Sequence, residues 1–180
     1  MDYRRQEWND LIHKDLLDTY HLVYQPLKLN CSFPEKEPES SEYAAYNFEL
    51  HGLSVKFRAA KITPKKIGAF VTIWKRVNKG PIQPYDSSDS IDLFVVSIRK
   101  DHYFGQFVFP KSALLKYGIL SKNGSGGKRA IRVYPPWDKP ISAQAKKTQN
   151  WQQRYFLEIR EDQEIDHRRV HALYGPYNVV

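Results

Sequence analysis

The chain has 180 residues, 14% of them aromatic, and a formal net charge of +8 from 28 Lys+Arg against 20 Asp+Glu. That length can bury a core within one domain, and the aromatic content argues against disorder. No apolar run approaches the ~18–20 residues that span a bilayer, and the charged N-terminus MDYRRQEWND lacks the apolar centre of a secretory signal, so no membrane insertion and a cytoplasmic location are expected.

Residues 3–22 predict an amphipathic helix with Trp8, Leu11, Ile12, Leu16 and Tyr20 on one face. Pro26 stops it. Residues 32–42 read as a polar, acidic linker, with a short helix starting near Ser40 or Ser41. From Tyr46 the hydrophobic period falls to two. Tyr46–Leu50 and Leu53–Ile62 are predicted strands joined by a tight turn at His51-Gly52. In the second, Leu53, Val55, Phe57 and Ala59 alternate with Ser54, Lys56, Arg58 and Ala60, as in a sheet with one wet face. Pro64 breaks the run, and Ala69–Val77 is dense in β-formers. A long loop over 79–90 precedes the most apolar strand, Ile91–Arg99, which pairs through a turn with Tyr103–Phe109. Pro110 opens a short helix that Gly118 closes. The glycine-rich basic loop SKNGSGGKR (121–129) leads into a short strand, Ala130–Tyr134, stopped by Pro135-Pro136. Ser142 caps a last helix running through Ile159, and the tail from 161 shows no pattern. This order predicts a single α+β domain over 1–180, with a core at 46–160. Its central sheet is mostly antiparallel, of about five to six strands, and flanked by helices.

Charge is unevenly placed along this order. Residues 51–150 hold 19 Lys+Arg against 5 Asp+Glu, whereas 1–50 hold 5 against 10 and 151–180 hold 4 against 5. A field of one sign over one region attracts polyanions. Nucleic acid is the foremost candidate, because each neutralised phosphate releases a condensed counterion. An anionic surface, an acidic protein or a merely solubilising face are the plainer alternatives.

Five stretches, FRAAKITPKKIGAFVTIWKR (57–76), PYDSSDSIDLFVVSIRK (84–100), FGQFVFPKSALL (104–115), GKRAIRVYPPWD (127–138) and AQAKKTQNWQQRYFLEI (143–159), together resemble the MepB family of bacterial proteins. The resemblance covers most of 53–159 in one order. It implies a small cytoplasmic protein, named from an operon that also encodes a multidrug efflux pump and its repressor. It supplies no catalytic residue. It further implies a fold similar to that of PD-(D/E)XK nucleases.

That implication can be set against the residues. Such nucleases place an Asp on one strand of a hairpin and Glu or Gln, one residue, then Lys on the next. Here Asp92 opens a strand and Gln106 sits on its partner, but Val108 occupies the lysine position and Lys111 lies beyond Pro110. The catalytic candidates are therefore Asp92, Gln106 and Lys111, with Asp92 as metal ligand. Mg²⁺ is the cofactor only on this reading, and otherwise none is expected. Asp86, Asp89 and Asp92 could also furnish oxygen ligands, although Asp and Ser are ordinary turn residues.

For binding without cleavage, the candidates are Lys56, Arg58, Lys128, Arg129 and Arg132 for phosphates, and Tyr134 and Trp137 for base stacking. GSGGKR (124–129) resembles a phosphate cradle, but it lacks the following Ser or Thr and leads into a strand, against ATP hydrolysis. His167 and His171 stand four apart without further ligands, no G-x-S-x-G is present, and Cys31 is the lone cysteine. Three readings remain: a binder of single-stranded DNA or RNA, a Mg²⁺-dependent nuclease, and a nucleoside or small-molecule binder.

Overall fold

A computed structural model describes residues 8–175. The predicted helical residues 3–7 and tail residues 176–180 lie outside it. Residues 8–11 are helical, and helix α1 spans Lys14–Thr19, continuing into a π-helical turn at Tyr20–Tyr24. The one predicted helix is thus broken at residues 12–13, where the His13 side chain accepts from the Asp15 N–H and caps α1. The strands are β1 (Glu35–Lys36), β2 (Tyr46–Leu50), β3 (Leu53–Ala59), β4 (Lys61–Thr63), β5 (Lys66–Thr72), β6 (Trp74–Arg76), β7 (Ile82–Pro84), β8 (Leu93–Lys100), β9 (Tyr103–Pro110), β10 (Ala130–Val133) and β11 (Phe156–Glu158). The later helices are α2 (Lys111–Lys116), α3 (Ala143–Gln152) and α4 (His167–Tyr174).

The main sheet runs β1-β2-β3-β8-β9-β11, antiparallel except for the parallel pair β3–β8. Its α+β class and mostly antiparallel character agree with the sequence reading. Its centre, β8 and β9, is buried almost end to end, because both faces are covered. On one face Leu93, Val95 and Val108 pack with Leu16, Val23 and Tyr24 of the N-terminal helices and with Val170 and Leu173 of α4. On the other, Phe94, Val96, Ile98, Phe107 and Phe109 meet Ala69, Val71, Ile73, Ile131 and Val133 of a second sheet, ordered β10-β5-β4. The layers are helices, large sheet, small sheet.

Two predicted strands are divided by this arrangement. The run Leu53–Ile62 leaves the main sheet at Ala60 and re-enters the small sheet as β4. The run Ala69–Val77 belongs to the small sheet up to Thr72, and then pairs as β6 with β7 from within the predicted loop 79–90. The last helix ends at Gln152 rather than Ile159. Phe156–Glu158 turns instead to form the edge strand β11 against β9. The small sheet ends in β10, and α3 lies beside that edge. This corner carries the site.

Candidate functional site

The acidic N-terminal segment folds back onto the basic centre of the chain. Glu37, from the predicted linker, accepts from Lys56 Nζ at 3.0 Å and from Arg58 Nη2 at 2.7 Å. Arg58 is 0% exposed, donates also to the Phe57 carbonyl, and lies over the Phe94 ring between the two sheets. Lys56 is completed by Asn47 at 2.8 Å. Arg58 leaves the predicted phosphate-binding set, because a cation buried against its own carboxylate cannot reach a ligand phosphate, and Lys56, half-buried, is engaged by Glu37 and Asn47. The same layer raises the Tyr85 phenol to about 12, chiefly through burial and then through Glu37. Glu42 pairs with Lys61, Glu39 with Arg76, Asp89 with Lys75, and Asp15 and Asp18 with Arg99; Asp138 pairs with Lys100. Most of the positive charge read between residues 51 and 100 is therefore neutralised within the fold.

Among the described residues, no Lys or Arg between 101 and 150 is in a salt bridge. Several of them converge on one cleft of about 530 Å³ between the rim of the small sheet and α3. Lys128, Arg132 and Tyr134 come from the β10 segment, and Lys147, Thr148, Trp151 and Arg154 from the α3 segment. Among the described residues no Asp or Glu lines it. Arg132 is held by donating from Nη1 to Thr63 Oγ1 at 2.9 Å and to the Gly68 carbonyl at 3.1 Å, with no carboxylate partner among the described residues. Trp151 stacks on Tyr117, with ring centroids 4.0 Å apart, and this pair forms the aromatic wall.

Two glutamines of α3 create the cleft. Gln152 is 1% exposed; its Oε1 accepts from the Tyr134 N–H at 2.9 Å and its Nε2 donates to the Arg132 carbonyl at 3.0 Å. The side-chain amide thus stands in for a neighbouring strand along the open edge of β10. Gln149 Nε2 donates to the carbonyls of Pro135 and Asp138, fastening the helix to the proline turn. Ser142 caps the helix as the sequence predicts, its hydroxyl accepting from the Ala145 N–H at 3.1 Å.

The remaining predicted residues lie elsewhere. Arg129 extends toward β7, donating from Nε to the Ile82 carbonyl. Trp137 stacks on Tyr103 at 4.9 Å and packs its edge on Phe156, so its ring serves the core of the β8–β9 turn. The loop 121–127 does cradle an anion, but the anion is the protein's own. Asp86 accepts from the Gly124 N–H, the Ser121 hydroxyl and Ser88, and these bonds hold its carboxyl well below the usual carboxylate range. Of the predicted cradle 124–129, the Gly124 N–H is thus already taken by Asp86. Lys147 and Arg154 escaped the sequence reading, which places them off the Thr148, Trp151, Tyr155 and Ile159 side of the predicted last helix, where nothing local turns them toward β10.

The nuclease constellation is not assembled. Gln106 pairs across the hairpin with Ser97, five residues along β8 from Asp92, a separation of about 16 Å at the rise of a strand. Mg²⁺ ligands lie ~2 Å from the ion, so these two cannot share one. Gln106 is buried and donates to the Tyr174 hydroxyl at 2.7 Å. Asp92 accepts from the Ser54 N–H at 2.8 Å, where it tethers the start of β8 to β3. Lys111 Nζ donates to the Asp89 carbonyl at 2.6 Å. Among the described residues no cluster of His, Cys, Asp or Glu could hold a metal ion, and no helix is long and apolar enough to cross a membrane.

Comparison with known proteins bears on the same region. A family model described as MepB-like matches residues 37–158, a span that takes in β10 and all of α3. Among solved structures, a crystal structure of MepB is 29% identical, with a TM-score of 0.71, covering 84% of this chain and 99% of that one. The bacterial homing endonuclease I-Ssp6803I is 17% identical with a TM-score of 0.41, over 77% of this chain and 88% of that one. No curated protein matches.

Proposed function

This chain belongs to the MepB-like family, and we propose that it is a nucleic-acid-binding protein that takes a single strand of DNA or RNA in the cleft between β10 and α3. The observation that carries the reading is the convergence there of Lys128, Arg132, Lys147 and Arg154 with no facing carboxylate among the described residues. Most of the basic side chains between residues 51 and 100, by contrast, are matched to acidic ones. Cations gathered without counter-charge repel one another, and a polyanion relieves that repulsion while releasing its own counterions.

Each part has a role. Lys128, Lys147 and Arg154 are exposed and meet phosphates as they pass. Arg132 is oriented by Thr63 and Gly68, so its free N–H groups form a fixed fork for a phosphate. Tyr134 and the Tyr117–Trp151 pair offer aromatic surface to unstacked bases, which binds without regard to sequence. A single strand suits the cleft better than a duplex. Lys147 of α3 lines the cleft beside β10, and the phosphate contacts are shared between two elements rather than borne on one projecting helix of the kind that enters a major groove.

The test is fluorescence anisotropy with labelled single-stranded DNA and RNA. Lys147 and Arg154 are exposed, so Lys147→Glu with Arg154→Glu leaves the fold intact. The double variant should lose at least about a hundredfold in affinity, since two phosphate contacts become repulsions. A loss below twofold would place the ligand elsewhere.

A further inference from the structure

A second basic feature adjoins the cleft and is not used by it. The β4–β5 hairpin ends in Pro64-Lys65-Lys66, and among the described residues neither lysine is in a salt bridge, although Lys61 at its base is paired with Glu42. Ile62 and Ile67, on the two strands beside this tip, are 46% and 40% exposed. Single exposed aliphatics are common on surfaces, but here a pair is flanked by free cations. The register of the hairpin shifts between Ile62 and Thr63, and this irregularity carries the tip out of the regular ladder.

The tip is also rigidly joined to the cleft. Arg132, which lines the cleft, donates to Thr63 Oγ1, just before the tip, and to the Gly68 carbonyl, two residues after it. Gly68 has φ +84°, and a Cβ there would stand 2.7 Å from the ring of Tyr134, so only glycine lets that cleft residue close over the hairpin. A strand lying along Arg132 therefore leads onto the hairpin.

Resting on the reading of the cleft as a nucleic-acid site, we infer that the hairpin is a second contact and that the preferred ligand is a nucleic acid in which a single strand adjoins a duplex. The strand occupies the cleft. Ile62 and Ile67 meet the end of the duplex, where a terminal base pair offers an apolar face, and Lys65 and Lys66 neutralise the flanking phosphates. Apolar side chains set against base steps, with cations on the adjacent backbone, are an established pairing of chemistries.

The experiment compares a duplex bearing a single-stranded tail with the unpaired tail strand alone, by anisotropy, for the full chain and for Ile62→Ser/Ile67→Ser. Covering the exposed parts of two isoleucines predicts a preference of about tenfold or more for the tailed duplex. The serine variant should lose this preference while its affinity for the tail strand stays within about twofold, and an unchanged melting temperature excludes unfolding. Lys65→Glu/Lys66→Glu should likewise weaken the tailed duplex selectively. Equal affinity for both ligands, or a preference that survives the serine substitutions, would overturn this inference and leave the cleft reading standing. Retention on phosphatidylserine vesicles that depends on Ile62 and Ile67, without a preference for the tailed duplex, would overturn it in favour of a lipid surface. Failure to bind either nucleic acid would overturn the cleft reading itself, and the inference with it.

Discussion

Replacing Gln152 by leucine tests how the cleft is built. The side chain is buried, and its amide bonds the Tyr134 N–H at 2.9 Å and the Arg132 carbonyl at 3.0 Å. Leucine fills most of the volume but restores neither bond, and it keeps water from reaching the two backbone groups. A buried donor or acceptor left unpaired costs about 1–3 kcal/mol. Both sites are half-buried, so the pair should lose about 2–4 kcal/mol together. For a chain of this size that lowers Tm by about 5–15 °C. Urea denaturation should show an earlier midpoint with an unchanged slope, since the same surface is exposed on unfolding. Gln152→Glu keeps the acceptor for Tyr134 but sets a carboxylate against the Arg132 carbonyl, so it should not rescue stability. If Gln152→Leu lies within about 0.5 kcal/mol of the parent, the ordinary scatter of neutral surface changes, then the edge of β10 is satisfied without this side chain and the argument for how α3 is held is wrong.

Asp86→Asn should loosen the loop 121–127, because an amide accepts more weakly from the Gly124 N–H and Ser121 hydroxyl; hydrogen exchange at Gly124 reports it. In the parent, bonding lowers the Asp86 pKa in the folded state, so the stability it contributes is complete above the ordinary carboxylate range and fades only as pH falls through the lower folded value. Protection of Gly124 should therefore persist through pH 4, and its loss above that pH would contradict the geometry. Burial pushes the Cys31 thiol up from 9.0 to about 12, so at pH 8 iodoacetamide should alkylate it at least about a hundredfold more slowly than a free thiol of ordinary pKa; rapid labelling would show that the site opens. With Mg²⁺ or Mn²⁺, labelled DNA should stay intact, and Asp92→Ala should lower stability by about 1 kcal/mol through loss of the Ser54 tether. Cleavage abolished by Asp92→Ala would contradict the separation of Asp92 and Gln106.

Local pattern made much of the fold legible. Alternation marked β2, β3, β8 and β9, and the turn at His51-Gly52 has the positive φ at both residues that a tight hairpin requires. Pro110 and Gly118 bound α2 as expected, the latter at φ +65°. What stayed hidden is not local. A continuous β-run carries no mark of the residue where it changes sheets, so Ala60 and Ile73 passed unnoticed. The pairing of β3 with β8 is parallel across a long intervening segment, and no turn announces it. At the site, Lys128 was readable as a basic position of the glycine-rich loop, and Arg132 and Tyr134 as basic and aromatic positions on the short strand that follows. Arg58 was misread because alternation tells which face a residue takes, not what covers that face. A second layer and Glu37 cover it here. Lys147 and Arg154 needed the fold, since the bonds of Gln149 and Gln152 and the packing of Trp151 on Tyr117 and Phe109 are what set this segment beside β10.

The most direct test of the account is the dependence of strand binding on salt. Four phosphates neutralised by Lys128, Arg132, Lys147 and Arg154 predict a slope of about −2.8 in log K against log salt, hence a loss of about 50-fold between 50 and 200 mM. Lys147→Ala should bring that slope to about −2.1. An affinity that is flat across this range, or a slope that Lys147→Ala leaves unchanged, would contradict the claim that this uncompensated charge is what holds the ligand.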